Sequence, residues 1–371
     1  MALVLNQEQD MLRESALQFM KERAPVAQLR ALRDGRDDDG FSRELWLAFA
    51  EMGFTGVLVP EAHGGLGLGM AEAGAIMEAI GRNLTAVPFF STAVLGASVL
   101  ARHGSADQQA RWLPLLARGE LIVALAVDEA AKHRPERISL RAERDGDGYR
   151  LTGEKLFVVD GHVADLLVVA ARTDEDGVAL FLVEGAAAGL RRERSIMADA
   201  HNAARLAFDG VRVGPDAVLA QGAKVIDEVL DIGRAALAAE LLGIADEVFE
   251  RTQSYLRERR QFGQIIGEFQ ALQHRSSMLY CDIELTRAIV LGAQQAFDEG
   301  SPQAAALVSA AKSRAGLTAT TAVQEGVQMH GGIGMTDEFE IGFFMKRARV
   351  VEELLGDARY HADRWARLSG Y

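Results

Sequence analysis

Residues 255–274, YLRERRQFGQIIGEFQALQH, hold the densest set of side chains in this chain that could bind a ligand. Arg257, Arg259 and Arg260 supply guanidinium forks, which grip phosphate through paired N–H donors, and Phe262 supplies a face for stacking. That combination suits a ligand that is anionic at one place and aromatic at another. The plainer reading of the same charges is a solvated helix end. A second stretch, QMHGGIGMTDE from Gln328 to Glu338, sets Gly331 beside Gly332, where absent side chains let a ligand approach the backbone. A helix C-cap at Gly331 is the competing reading. No metal site is expected, because the eight histidines are dispersed without HxxxH spacing, and no GxSxG elbow or thiol dyad offers a nucleophile.

With 371 residues, of which 49% are hydrophobic, 25% charged and 6% aromatic, the chain has the composition of an ordinary globular protein with room for two or three domains. A net charge of -13 leaves no basic stripe to displace counterions, so nucleic acid is not an expected partner. Cys281, the sole cysteine, rules out a disulfide framework and points to a reducing, cytoplasmic setting. Lying in a helical run with Met278 and Leu285, it reads as a buried structural thiol. The first fifteen residues, MALVLNQEQDMLRES, lack a basic region followed by an apolar core, so neither a signal peptide nor a membrane span is expected.

Periodicity divides the chain into three. Over residues 1–119 apolar side chains recur at helical spacing, as at Leu12, Ala16 and Met20, at Leu45, Leu47, Phe49 and Met52, and at Val94, Leu95, Val99 and Leu100. Over 120–220 short β-branched runs take over, at 121–127, 148–153, 155–159, 166–171, 178–183 and 205–213, predicting a small β-barrel or sandwich. Arg205, Ala207 and Asp209 alternate with Leu206 and Phe208, marking one wet face. Over 221–371 long helical runs at about 222–258, 268–298, 302–330 and 342–368 predict a four-helix bundle. The fold class is thus mainly α with a central β domain, and apolar helix faces of this extent favour an oligomer. The glycine-rich run VLVPEAHGGLGLGM (57–70) invites a dinucleotide reading, but its third glycine falls one residue short of GxGxxG and no βαβ unit follows.

RRQFGQIIGEFQALQH resembles the RxQFGxxIxxFQxxQH signature of the acyl-CoA dehydrogenase family, at Arg259, Gln261, Phe262, Gly263, Ile266, Phe269, Gln270, Gln273 and His274. QMHGGIGMTDE resembles the family's QxxGGxGxTxE segment, residues 60–69 its PExxGGxGxG loop, Glu78–Arg82 its EAIGR helix, and 103–120 the close of its first domain. The likeness covers nearly the whole chain. It implies an FAD enzyme that desaturates an acyl-CoA thioester, with electron-transfer flavoprotein as electron acceptor. It also implies site residues. Arg259, Gln261, Phe262 and Gln270, together with Gln328, Gly331 and Gly332, would hold a partner subunit's FAD across a dimer. Val127, Asp128, Phe157 and Val159 would lie against the flavin, and Asp231 and Arg234, a DxxR pair, along the acyl-CoA channel.

The same resemblance exposes gaps. Family chemistry needs a carboxylate to take the substrate α-proton while hydride leaves for the flavin. Its two usual positions are here Leu355, before Gly356, and Gly233, before Arg234. Glu240, Glu352, Glu353 and Asp357 are candidate replacements, each equally readable as a surface carboxylate or a cap. The flavin-facing loop reads Asp128, Glu129, Ala130 and then AKHRPERIS, without the family's glycine and serine, and Val159 stands where a hydroxyl would bond flavin N5. Two classes of function follow. One is an active flavoenzyme with an unconventional base, or an oxidase or monooxygenase on the same fold. The other is the base-lacking smaller subunit of a heterotetrameric acyl-CoA dehydrogenase, such as those acting on pimeloyl-CoA or steroid side-chain thioesters.

Overall fold

The computed structural model describes residues 3–173 and 177–371. Helices α1 (Gln7–Arg23), α2 (Val26–Gly35), α3 (Arg43–Glu51), α4 (Met70–Asn83), α5 (Ala97–His103) and α6 (Ala106–Ala117) come first, with a π-helical run at Phe89–Gly96. Capping residues set several of their starts. Asn6 accepts from the Gln9 amide and Gln9 reciprocates, and Ser105 and Gln108 do the same at α6. Strands β1 (Val123–Ala126), β2 (Arg141–Asp145), β3 (Gly148–Val159), β4 (Leu166–Thr173), β5 (Val178–Glu184), β6 (Leu190–Ile196), β7 (Asn202–Val213) and β8 (Val218–Gln221) follow. Helices α7 (Ala223–Glu258), α8 (Gln270–Asp298), α9 (Ala304–His330), α10 (Ile341–Glu353) and α11 (Ala358–Leu368) complete the chain, with a short hairpin of β9 (Arg260–Gln261) and β10 (Gln264–Ile265) between α7 and α8. Among the described residues no helix is long and apolar enough to cross a membrane.

The chain divides into two compact units, one of Met1–Ala31, Met70–Thr85 and Arg234–Tyr371, the other of Leu32–Gly69 and Ala86–Gly233. In the second, the strands form one mixed sheet in the order β6-β7-β3-β2-β4-β5-β8, an open path with β1 a parallel branch on β4. Apolar periodicity missed β2, β6 and β8. The sequence RAERD of β2 buries one side chain, and LRRERSI of β6 is a charged strand at the end of the path, where ladder bonds rather than burial define it. The separate runs at 148–153 and 155–159 are one strand, β3, broken in register twice against β7.

In the first unit, α4 and α7 cross at backbone contact. A Cβ on Gly81 would stand 2.2 Å from the Glu240 carbonyl oxygen, and one on Gly243 would stand 2.0 Å from that of Glu78. Two expectations are corrected. The run at 342–368 is two helices, because Leu355 and Gly356 both take positive φ (56° and 107°) and Asp357 then caps α11 through the Tyr360 amide, so five helices stand where four were expected. Cys281 is exposed, on an outer face of α8 that also bares Met278 and Leu285. Helical spacing locates a face; it does not tell which face this chain covers.

Candidate functional site

Helix α7 gives way at Arg259 to the β9-β10 hairpin, whose two-residue turn holds Phe262 and Gly263 at φ 53° and 84°. Paired positive φ values define the turn type whose twist matches a tight hairpin; glycine suits it, while phenylalanine is held there at a steric cost. Phe262 is nonetheless 90% exposed, with Phe269 edge-on at 6.3 Å. The backbone at Arg259 is fixed, its N–H donating to Tyr255 O at 2.9 Å and its carbonyl accepting from the Ile266 amide at 2.9 Å. Its guanidinium has no hydrogen-bond or ion-pair partner among the described residues, and Gln261, Gln270 and Gln328 are likewise exposed.

A small apolar cluster brings the two glycine-bearing signatures together. Leu256, Ile266 and Met329 form it, with Tyr255, Phe269 and Leu272 packed against them, so the hairpin rests on the end of α9. The His330 ring is sandwiched between Tyr255 at 4.5 Å and Phe339 at 4.6 Å, and its Nδ1 donates to Gly326 O at 2.7 Å. Burial holds the His330 pKa below the ordinary imidazole value, against the pull of the Gly326 carbonyl. Gly331 then caps α9 at φ 64°, ψ −139°, a region open only to glycine. A Cβ on Gly332 would meet nothing within 4 Å, so nothing in this chain requires glycine there.

The Leu355 loop is built in the opposite way. Its carbonyl accepts from Arg234 Nε at 3.3 Å and from His361 Nε2 at 3.1 Å. Lys312, 1% exposed, points its ammonium at the carbonyls of Val351, Glu352 and Gly356, at 3.0, 2.9 and 3.2 Å. Arg234 is fully buried and also donates to the Tyr360 hydroxyl at 3.2 Å. Burial, reinforced by the Lys312 and Arg234 charges, pushes the His361 pKa down to about 2, and burial brings Lys312 down to about 7. The carboxylates nearby have structural work. Glu240 is fully buried, with one oxygen 2.6 Å from Arg347 Nε. Glu352 accepts the Ala358 amide at 3.0 Å, Glu353 pairs with Arg349 at 2.6 Å, and Asp357 is the α11 cap.

The other unit carries the flavin-wall candidates. Lys155, fully buried, donates to Val127 O at 2.9 Å and to Glu129 at 2.7 Å; the same carboxylate receives the Ser139 and Leu140 amides at 2.8 and 3.0 Å. Desolvation lowers the Lys155 pKa, with Glu129 opposing it. Asp128 is 2.9 Å from His133 Nδ1 through both oxygens, and its carbonyl accepts from the Leu156 amide at 2.8 Å. That bond ties the loop to Phe157, which is 51% exposed at φ 52° within a bulge of β3, while Val159 is half-buried. Asp231, 5% exposed, and Gly233 lie in α7. Lys155, Lys312, His330 and His361 escaped the sequence reading. A signal existed for two of them: each lysine falls at an inward position of an otherwise apolar pattern, where a charge must have a partner.

Comparison with known proteins accounts for the whole chain. Family models described as acyl-CoA dehydrogenase N-terminal, middle and C-terminal domains match residues 6–120, 129–211 and 220–369. A mitochondrial isovaleryl-CoA dehydrogenase of Pongo abelii is 32% identical over 370 residues, covering 94% of this chain and 85% of its own length. A variant of the Tcur3481-Tcur3483 steroid ACAD superposes with TM-score 0.90 at 32% identity, over 98% of both chains. The ChsE4-ChsE5 complex from Mycobacterium tuberculosis superposes with TM-score 0.91 at 27% identity, over 100% of both.

Proposed function

The chain belongs to the acyl-CoA dehydrogenase family, oxidoreductases acting on the CH–CH bond of acyl-CoA thioesters, and from that premise we propose that it is the base-lacking subunit of a heteromeric member. The observation that carries this is the Leu355 loop. A leucine occupies the base position, its carbonyl is held by two buried donors, and Glu240, Glu352, Glu353 and Asp357 are each tied to a cation or an amide. Each carboxylate of this set is thus already engaged within the chain, although Glu240 keeps its second oxygen buried without a hydrogen-bond partner. Two of the similar structures carry names that pair two different chains, which supports a heteromer.

FAD, when bound, supplies the hydride acceptor that the reaction needs. The residues of this chain fit it unequally. Arg259, Gln270 and Gln328 are exposed donors, Phe262 offers an open ring, and Gly331 and Gly332 leave room for a pyrophosphate, as a chain completing a partner's site requires. On the flavin wall, the Asp128 carboxylate is engaged by His133 and Val159 offers no hydroxyl, so this chain's own half is the poorer fit. Electron-transfer flavoprotein is the expected acceptor of the assembled enzyme.

The test is turnover of saturated acyl-CoA thioesters by the purified chain, alone and as Leu355→Glu, with an artificial electron acceptor. The parent should be slower by two to four powers of ten than an ordinary enzyme of about 1 to 1,000 per second, and Leu355→Glu should gain activity. Ordinary turnover by the parent alone would sink the subunit reading.

A further inference from the structure

A cavity of about 400 Å³ lies among the last turns of α7, the β9-β10 hairpin with the turn after it, and the first turns of α8. Its size falls in the range of about 300–1,000 Å³ typical of ligand pockets. Gln253 and Arg257 of α7, Ile265 and Glu268, and Ser276 and Ser277 of α8 are among its walls. Two of the wall groups are unmet: Gln253 Nε2 and Ser276 Oγ are buried without a hydrogen-bond partner, and Ser276 is only 9% exposed. A buried polar group left so costs stability unless something outside the chain supplies its bond.

The kind of bond missing is specific. Gln253 offers an amide NH2 and Ser276 a hydroxyl, and Arg257 adds an exposed guanidinium with no partner among the described residues. The neighbouring polar groups are already spent, Ser277 on Gln273 O at 2.9 Å and Gln273 on Gly267 O at 3.0 Å. What remains is a donor set around a cation, and its complement is an anionic oxygen. Glu268, the one carboxylate of the walls, is exposed, where solvent screens it. We infer that this cavity is a small-anion site, which takes a phosphate or carboxylate group on Gln253, Ser276 and Arg257. Since Ile265 and Glu268 lie on the hairpin and turn that carry Arg259 and Phe262, an anion bound here braces that segment. The inference stands apart from the flavin reading.

Calorimetric titration of the intact protein with inorganic phosphate, and separately with acetate, tests it. One saturable site per chain is expected at low salt, with a Kd of about 1 mM or tighter for at least one anion. The tighter of the two names the ligand chemistry. Arg257→Gln and Ser276→Ala should each weaken binding about tenfold or more, while Arg259→Ala, which removes the neighbouring free guanidinium, should leave it unchanged. Arg257 is exposed, so its variant should fold even if Ser276→Ala does not. Absence of saturable heat with both anions, or binding lost with Arg259→Ala and kept in Arg257→Gln, overturns the site.

Discussion

Two parts of the C-terminal helices treat their polar groups in opposite ways. Around Leu355, buried donors from α7, α9 and α11 meet the carbonyls of a loop in which two successive residues take positive φ. Around Arg259 and Gln328, donors stand exposed and unmet, and a phenylalanine is displayed in a turn that suits glycine. Strained backbone survives only where the surroundings over-determine it or where function uses it. The Leu355 loop is the first case, its carbonyls met by donors of the chain itself. The Arg259 hairpin fits the second, if, as proposed, its complement lies outside the chain. On the proposed reading a missing base and a retained cofactor grip are separable, because the Leu355 loop draws on Arg234 and Lys312 and the hairpin on Leu256 and Met329, at different points along α7 and α9.

Lys312→Met is the sharpest test of the finished side. It keeps the length of the side chain and leaves the carbonyls of Val351, Glu352 and Gly356 without their donor, so urea unfolding should lose about 3 kcal/mol. A loss below about 1 kcal/mol would mean that the loop does not depend on its buried donors.

Arg259→Ala probes the other side. Its guanidinium has no partner among the described residues, so the unfolding midpoint should stay put while flavin affinity of the assembled enzyme falls by about ten- to a hundredfold, followed by fluorescence titration. Equal flavin retention would end the idea that this hairpin grips cofactor.

His361 adds a pH signature to the buried loop. Its pKa falls from 6.5 unfolded to about 2 folded, so the unfolded chain binds the extra proton between those values. The contribution is fully present above pH 6.5 and is lost as pH falls toward 2, at up to about 1.4 kcal/mol per unit. Stability of the parent measured from pH 7 to 5 should fall more steeply than that of His361→Gln; parallel curves would show that the ring is not held neutral.

The smallest effect belongs to Phe262→Asn. Asparagine tolerates positive φ, so the isolated chain should gain up to about 1 kcal/mol, while cofactor binding weakens. Destabilisation instead would mean that the ring packs on its own chain.

Much of this was legible in the residues themselves. Helices α7, α8 and α9 followed from apolar spacing, the change of period near residue 120 announced the sheet, and the RRQFGQIIGEFQALQH and QMHGGIGMTDE runs marked the family. The same motifs pointed to Leu355 and Gly233 as the positions where the proposal turns on a base. What local pattern could not carry was partnership between distant residues. The charged strands β2 and β6 exist through ladder bonds to neighbours chosen by the whole sheet, and the exposed side of Cys281 depends on which helix face this chain covers. Glu240, Glu353 and Asp357 looked alike as carboxylates in sequence, and only packing gave one to Arg347, one to Arg349 and one to a helix cap. Lys312 reaches the Leu355 loop from a separate helix, and the fold alone decides that meeting, because a buried charge is defined by what surrounds it and not by its neighbours along the chain.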